Sequence, residues 1–536
     1  MAVDFRRIVA QDPTIGAGNF FHRFAEQCAD ENAIILESDA DVCVGGRDYG
    51  RSLTVADLRD IVNQLAVWLL EHGVSKRLPV AVFINDSPLY YIYYIALNRI
   101  GAIPVFLNSL MSGSVAAQYL RRVGCFAIVV DRTTAMRLEP HVSSLGQGPR
   151  IFLAESIEFS GEVPDHEPFC HGERDTVLIA HTSGTTGAPK PVQFNHSGYY
   201  FGVRQQMFHA LGRKVISALP HSHGSAITMF MSTAVRTVPL FAQTKKDPEH
   251  FLDTIETWRP NLVMAFPKPL VDLCRVDLER RDLSSVACWM STGDASHESH
   301  IRRLIRFGSR RLGGVNRPGS LYIDNLGSSE FAFGILRNVH SPETDSYDRC
   351  IGRPFEWVDV EIFGEDGRAV ATNTVGRLGV KSPSVTSGYW NDDAATQMNT
   401  LHGYWLTGDL VFRADSGLYY HVDRTTDRAL VSDRMFYSCQ LEELLLKQIP
   451  EIFDCTVVGI NGDGEQGLAV GVEPADRACD APGMMEKIQA VLKMSGVTAA
   501  ARIEMVAPGW NEGLTGKKLK RVIRESHPGH QPSAPA

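Results

Sequence analysis

Small hydroxyl residues interleave with two glycines at Thr182, Ser183, Gly184, Thr185, Thr186 and Gly187, and Lys190 follows. Such a stretch leaves backbone N–H groups and hydroxyl donors able to wrap a polyanion without side-chain bulk, and the lysine adds a cation at its far end. The chemistry it suits is phosphate binding. A Walker-type loop is excluded, because the spacing of Gly, four residues, Gly-Lys and then Ser or Thr is missing. An ordinary Gly/Ser/Thr turn after a strand has the same look, so the rest of the chain has to agree before the loop means a nucleotide. The element that must hold it is legible. The apolar run 177–180 reads as a buried strand, and Pro189 keeps a helix from starting inside the loop.

Further stretches carry suitable groups. In LPHSH, His221 and His223 stand two apart, which on an extended segment puts both rings on one face. Imidazole is the side chain whose charge changes near neutral pH, and no nearby carboxylate or cysteine completes a metal set. A hydrogen-bonded loop histidine is the plain alternative. The apolar run ending in Ser291, Thr292, Gly293, Asp294 and Ala295 looks like a strand feeding a glycine turn, where ligands gather in parallel sheets. In LYIDNLGSSEF, Ser329 offers a hydroxyl and Glu330 a hard oxygen ligand for Mg2+ beside a triphosphate. In GYWLTGDL, an Asp409 carboxylate on a Thr-Gly-Asp turn can accept from two vicinal hydroxyls at once, which a ribose supplies.

In this order the segments resemble the acyl-adenylate-forming superfamily of acyl-CoA synthetases, adenylation domains, luciferases and stand-alone amide synthetases. TSGTTGAPK is similar to its phosphate loop and LPHSH to its Leu-Pro-x-x-His segment. Gly327, Ser328, Ser329 and Glu330 resemble Tyr-Gly-x-Thr-Glu without its aromatic, for which Leu326 stands, and Thr407, Gly408 and Asp409 resemble Thr-Gly-Asp. Arg424 and Asp427 match the hinge region, and NEGLTGKKLK resembles the closing Gly-Lys motif, which singles out Lys517. The resemblance, over about residues 15–525, implies attack of a carboxylate on the α-phosphate of ATP, giving acyl-AMP and pyrophosphate, with ATP and Mg2+ as cofactors. It implies that the 182–190 loop cradles the leaving phosphates and that Gly293, Asp294, Ala295 and Leu326 line the adenine and acyl pockets. It further implies that Asp409 and Arg424 fix the ribose, that His223 lies at the mouth of the acid pocket, and that Lys517 neutralises charge on the carboxylate and α-phosphate oxygens.

Departures from the pattern bear on the acceptor. Thr426, Leu430 and Asp433 stand at the usual hinge residue, lysine and glycine of the mobile loop. CoA ligases of the family use that glycine to admit the pantetheine arm. A carboxylate at 433 and two histidines near the pocket favour an amide synthetase that transfers to an amine or amino acid, with His223 or His221 as base. An acyl-CoA synthetase is the alternative. A luciferase-type monooxygenase and a catalytically silent nucleotide binder are lesser rivals, the latter opposed by Glu330, Asp409 and Lys517 occurring together.

The chain has 536 residues, 44% hydrophobic and 21% charged, enough for several cores, and a net charge of -9 gives no reason to expect a nucleic-acid partner. The ten cysteines are scattered without zinc or redox spacing, as in a reduced cytoplasmic protein. The first residues hold no apolar signal core, and no later run reaches the roughly 18 apolar residues of a membrane span. Helical spacing in 19–30 and 54–73, then strand, helix and strand at 79–84, 88–99 and 102–108, predict α/β crossovers. The tyrosines at 90, 91, 93 and 94 read as core. A large N-terminal α/β domain over 1–424, a small mobile α+β domain over 425–525 and a disordered tail over 526–536 are expected, with Lys518, Lys520 and Arg521 on a solvated basic face.

Overall fold

The structure is a computed structural model and describes residues 4–146, 148–160, 166–182, 189–345, 347–431, 434–462, 465–476, 480–497, 501–510, 512–513 and 517–525. Two sheets form its large part. In the first, Ile34–Ser38, Leu240–Ala242, Val215–Ser217, Leu262–Ala265, Cys288–Thr292 and Leu321–Leu326 lie side by side and parallel. In the second, Arg150–Leu153, Ala127–Val130, Pro79–Phe83, Ile103–Phe106 and Thr176–His181 are parallel, and Pro191–Asn195 adds antiparallel to the last. Continuous apolar runs such as AIVV and IPVF suit strands covered on both faces.

The crossovers form where the periodicity places them. The helix Val55–Glu71 starts on a capping box between Thr54 and Asp57, buries Leu58, Ile61, Val62, Leu65 and Leu69, and ends where Gly73 takes φ +82. The helix Leu89–Arg99 begins after Pro88 and is wrapped on all sides, with the four tyrosines fully buried. Tyr90 and Tyr94 donate to the carbonyls of Leu107 and Ala17. The hydroxyl of Tyr93 has no hydrogen-bond partner among the described residues.

Antiparallel strands extend the first sheet: Leu336–His340, Cys350–Pro354, Tyr419–Arg424, Tyr404–Arg413, Gly376–Lys381 and Asp359–Phe363. Cys350–Pro354 and Asp359–Phe363 are separate strands, because Pro354 has no N–H to carry the ladder on. Thr407, Gly408 and Asp409 are no turn. They lie inside Tyr404–Arg413, where Gly408 at φ +80 bends the strand.

A smaller C-terminal domain packs the strands Ile452–Gly462, Glu465–Pro474 and Ala501–Met505 against the helices Ser438–Gln448 and Ala481–Met494. Its core is its own, built on Leu445, Val457, Val470, Ile488 and Leu492. It docks on the large part through polar contacts: Glu443 accepts from His297 Nδ1 at 2.8 Å and from the Glu298 amide at 3.0 Å, and His300 Nε2 donates to the Phe453 carbonyl at 2.8 Å. The basic cluster near the end is not a solvated face. Lys518 is paired with Asp454 at 2.8 Å and Lys520 with the buried Glu442 at 2.8 Å, so two of its cations hold the helix Lys520–Glu525 to the domain, and only Arg521 is largely solvated. The 526–536 segment lies outside the described residues.

Candidate active site

Segments that follow the parallel strands of the two sheets meet each other. Asp86, after Pro79–Phe83, bonds His221, after Val215–Ser217, at 2.8 Å. His181, at the end of Thr176–His181, donates from Nδ1 to the Thr182 carbonyl and accepts the Asn108 amide on Nε2. Carboxyl ends of parallel strands are where such sheets bind ligands. A cleft of about 1720 Å³ runs between the two domains, and Lys190, Gly293, Asp294, Ala295, Leu326, Gly327, Asp409, Arg424 and Lys517 all line it, whereas His221 and His223 do not.

Ser183, Gly184, Thr185, Thr186 and Gly187 lie outside the described residues, as does Asp433. The base of the loop is defined, because the Thr182 hydroxyl accepts the Lys190 amide at 3.1 Å and the Thr182 amide donates to the Lys190 carbonyl at 3.1 Å. The Lys190 ammonium stands over the Tyr389 ring, 5.0 Å from its centroid. Tyr389 in turn donates its hydroxyl to Glu330 Oε1 at 2.8 Å, and Ser328 donates to Oε2 at 2.7 Å. Ser329 sits in the same turn. Glu330 is thus fixed in orientation and linked through Tyr389 to Lys190 at the base of the loop. Gly293 takes φ +87, and a Cβ there would meet the Phe266 ring at 2.9 Å, so this turn requires glycine.

Asp409 and Arg424 face each other across neighbouring strands, and Arg424 Nη1 and His421 Nε2 reach Asp409 Oδ1 at 3.0 and 3.2 Å. Burial pushes the Asp409 carboxyl up, but Arg424 and His421 outweigh it and hold it below the usual carboxylate range. Lys517 comes from the C-terminal domain. Burial lowers its pKa, while Asp294, Asp409 and Glu330 draw it back up and Arg424 repels it. A desolvated ammonium framed by these groups is placed to meet an anion in the cleft.

The two histidines do not share a face. His221 begins a turn rather than an extended segment, and its side chain is fully buried. Asp86 Oδ1 accepts from His221 Nδ1 at 2.8 Å and from its amide at 2.7 Å, while Lys246 pairs with Asp86 Oδ2 at 2.7 Å. His223 instead caps the helix Gly224–Ala234. Its Nδ1 accepts the Ser225 amide at 3.1 Å, and its ring packs edge-on against Phe266. A neutral imidazole that accepts on Nδ1 carries its proton on Nε2. Burial, then Lys517 and His181, bring the His223 pKa down to about 3, so it stays neutral and presents a donor. His221 has the reverse wiring. Its Nδ1 donates, so in the neutral ring Nε2 holds the lone pair, and that atom is buried and without a partner among the described residues.

The carboxylate behind His221 is the group sequence reading misses. Asp86 lies 135 positions away, and its one local signal is its place in the Asn85-Asp86-Ser87-Pro88 turn after an apolar run. His421 and Tyr389 are likewise known only by what they touch. Among the described residues no cluster of three or more metal-ligating side chains exists, and every described cysteine is a thiol.

Lysine, arginine and carboxylate side chains thus converge on a cleft between two domains, a layout suited to a nucleotide-dependent ligase. The chain belongs to the AMP-binding enzyme family, whose pattern it matches over residues 21–390. It is an adenylate-forming, ATP-dependent ligase. A 3-aminoavenalumate diazotase from a Streptomyces species is 34% identical over 548 residues, covering 97% of each chain. By structure it is similar to the anthranilate CoA ligase AuaEII in complex with anthranoyl-AMP, with a TM-score of 0.83 at 18% identity over 96% of this chain and 97% of that one. It is also similar to the amide bond synthetase McbA from Marinactinospora thermotolerans, with a TM-score of 0.77 at 23% identity over 95% and 99%.

One prediction concerns Asp409. Asp409→Asn keeps the size and an acceptor oxygen but loses the charge that would strengthen the expected ribose contact in ground and transition states alike. The expected result is a KM for ATP raised about tenfold, measured by pyrophosphate release. A change confined to the KM of the acid would remove Asp409 from the nucleotide.

Proposed function

We propose that the second half-reaction passes the activated acyl group to an amine and that His221 is the base. The observation that carries this is the opposite wiring of the two histidines: His223 can only donate, whereas His221 holds a lone pair backed by Asp86. Attack by an amine on acyl-AMP sheds a proton, and a positioned base contributes roughly 10² to 10⁴-fold. In the first half-reaction Lys517 and the 182–190 loop stabilise the α-phosphate and the leaving pyrophosphate, Asp409 and Arg424 hold the ribose, and His223 donates to an oxygen of the substrate. Mg2+ fits Glu330, whose oxygens keep lone pairs beyond those used by Ser328 and Tyr389. Mg2+ takes one or two carboxylates together with substrate phosphates and neutralises charge on them. The enzyme acts in the cytoplasm, and among the described residues no helix is long and apolar enough to cross a membrane. The large and small domains divide near residues 424 and 425.

A second reading is favoured by the 34% identity to a diazotase over 97% of both chains. Nitrite, like a carboxylate, is a bent oxyanion that can attack phosphorus, and an amine attacking the resulting mixed anhydride at nitrogen gives an N–N bond. The acceptor is an amine in both readings. Thioester formation is the rival, and Asp433 in place of glycine opposes it.

The test offers ATP and Mg2+ with a panel of carboxylic acids and nitrite, with CoA and mixed amines present together, and follows pyrophosphate and products by mass spectrometry. Amide, or an azo-coupled diazonium in the nitrite arm, is the expected product. CoA thioester as the sole product would overturn the reading. Asp433→Gly is expected to raise CoA use severalfold, checked by thioester yield in the same assay.

A further inference from the structure

We infer that a projecting hairpin over residues 309–318 docks the protein on anionic phospholipid membranes. The strands Ser309–Leu312 and Val315–Pro318 form a two-stranded sheet of their own, closed by Gly313 and Gly314 at φ +58 and +83, the backbone that a two-residue hairpin turn requires. Val315–Pro318 is exposed along its whole length, and a Cβ at either glycine would meet nothing within 4 Å. The tip stands free of the body. Leu312 and Val315 are paired directly across it and are 62% and 57% exposed. Single exposed apolar residues are ordinary on a protein surface, but two held together on a projecting turn make a wedge for an apolar medium. The hairpin leads into the amino end of Leu321–Leu326, while Leu326 at the other end of that strand lines the cleft. Docking by the tip therefore leaves the cleft open to substrates.

The charge around the tip selects the medium. In a chain of net charge -9, residues 301–319 hold six arginines and no Asp, Glu or Lys. Arg302, Arg306 and Arg310 have carboxylate partners in Glu298, Glu279 and Glu343. Arg303 and Arg311 donate to the carbonyls of Val276 and Gly314, and neither they nor Arg317 have an ion pair among the described residues. Alternation along the strands puts Arg317 on the face of the Leu312 and Val315 pair and Arg311 on the opposite face, so guanidinium groups flank the apolar tip on both sides. A guanidinium meets phosphate oxygens with a planar fork of donors, and the surface of an anionic leaflet favours each such cation by about fivefold in partitioning. A bilayer satisfies both features at once, taking the aliphatic tip below its headgroups and the arginines at its phosphates. A protein partner would need a complementary surface of roughly 1,000 Å², more than a projecting turn offers. Single-stranded nucleic acid stacks on aromatic side chains, and this tip is aliphatic.

The experiment sediments the full chain with vesicles. Vesicles of equimolar phosphatidylserine and phosphatidylcholine are expected to carry the protein down, vesicles of phosphatidylcholine alone to leave it in solution, and raised salt to release it by screening. The double variant Arg311→Gln/Arg317→Gln is expected to lower the partition coefficient about twentyfold, and Leu312→Ser/Val315→Ser about tenfold. All four side chains are exposed and none lines the cleft, so thermal unfolding and pyrophosphate release measured without vesicles should match the wild type. Failure to sediment with the phosphatidylserine vesicles overturns the proposal, as does sedimentation that neither double variant weakens. Capture of a poly-dT oligonucleotide without vesicle binding, lost in Arg311→Gln/Arg317→Gln and kept in Leu312→Ser/Val315→Ser, would assign the hairpin to nucleic acid instead.

Discussion

Lys517→Ala is expected to lower the rate of acyl-AMP formation by about a hundredfold or more, the effect of removing one preorganised charge contact to a developing anion, roughly 3 kcal/mol. The structure supports a loss in chemistry rather than folding. Burial already disfavours the Lys517 charge, and the opposing pull of Asp294, Asp409 and Glu330 is the field a phosphate-binding cation would feel. Thermal unfolding should therefore change little while pyrophosphate release collapses. Lys518 and Lys520 are controls of the opposite kind, since their ammonium groups pair with Asp454 and Glu442, and neutralising either should cost stability. Near-normal pyrophosphate release by Lys517→Ala would move the role elsewhere in the cleft.

The second large effect concerns His221→Asn. An asparagine amide reproduces the Nδ1 donor toward Asp86 but has no counterpart of Nε2, so it keeps the buried pair and deletes the base. Amine transfer should fall roughly 10² to 10⁴-fold, much more than adenylation, so that acyl-AMP accumulates and a pyrophosphate burst precedes a slow steady state. His223→Ala should act in the other half-reaction, because that ring offers an N–H and not a lone pair. Single-turnover measurement of both steps distinguishes them. A parallel fall of adenylation and transfer in His221→Asn would sink the base assignment.

The amine reading also explains why the two histidines look equivalent in the sequence and are not. Their spacing describes an extended segment, whereas the chain turns at His221 and starts a helix at Gly224. One ring is spent on capping that helix, and the other is captured by a carboxylate from a different sheet. The same contrast runs through the C-terminal region. Three nearby cations read as a solvated face, yet Glu442 and Asp454 on neighbouring elements take up two of them.

What the sequence by itself determined was everything set by short-range pattern. Periodicity placed the helices Val55–Glu71 and Leu89–Arg99 and the apolar strands between them, because burial of a stripe or a run is decided within a few residues. The order of the loop at 182–190, Glu330, Asp409, Arg424 and Lys517 indicated adenylate chemistry, since those groups are chosen for what they bind. Only the tertiary structure decided which nitrogen of each histidine meets which partner, and that Asp86 stands behind His221. A hydrogen-bond partner is selected by packing between sheets, across 135 positions in the case of Asp86, and local pattern contains no record of that choice.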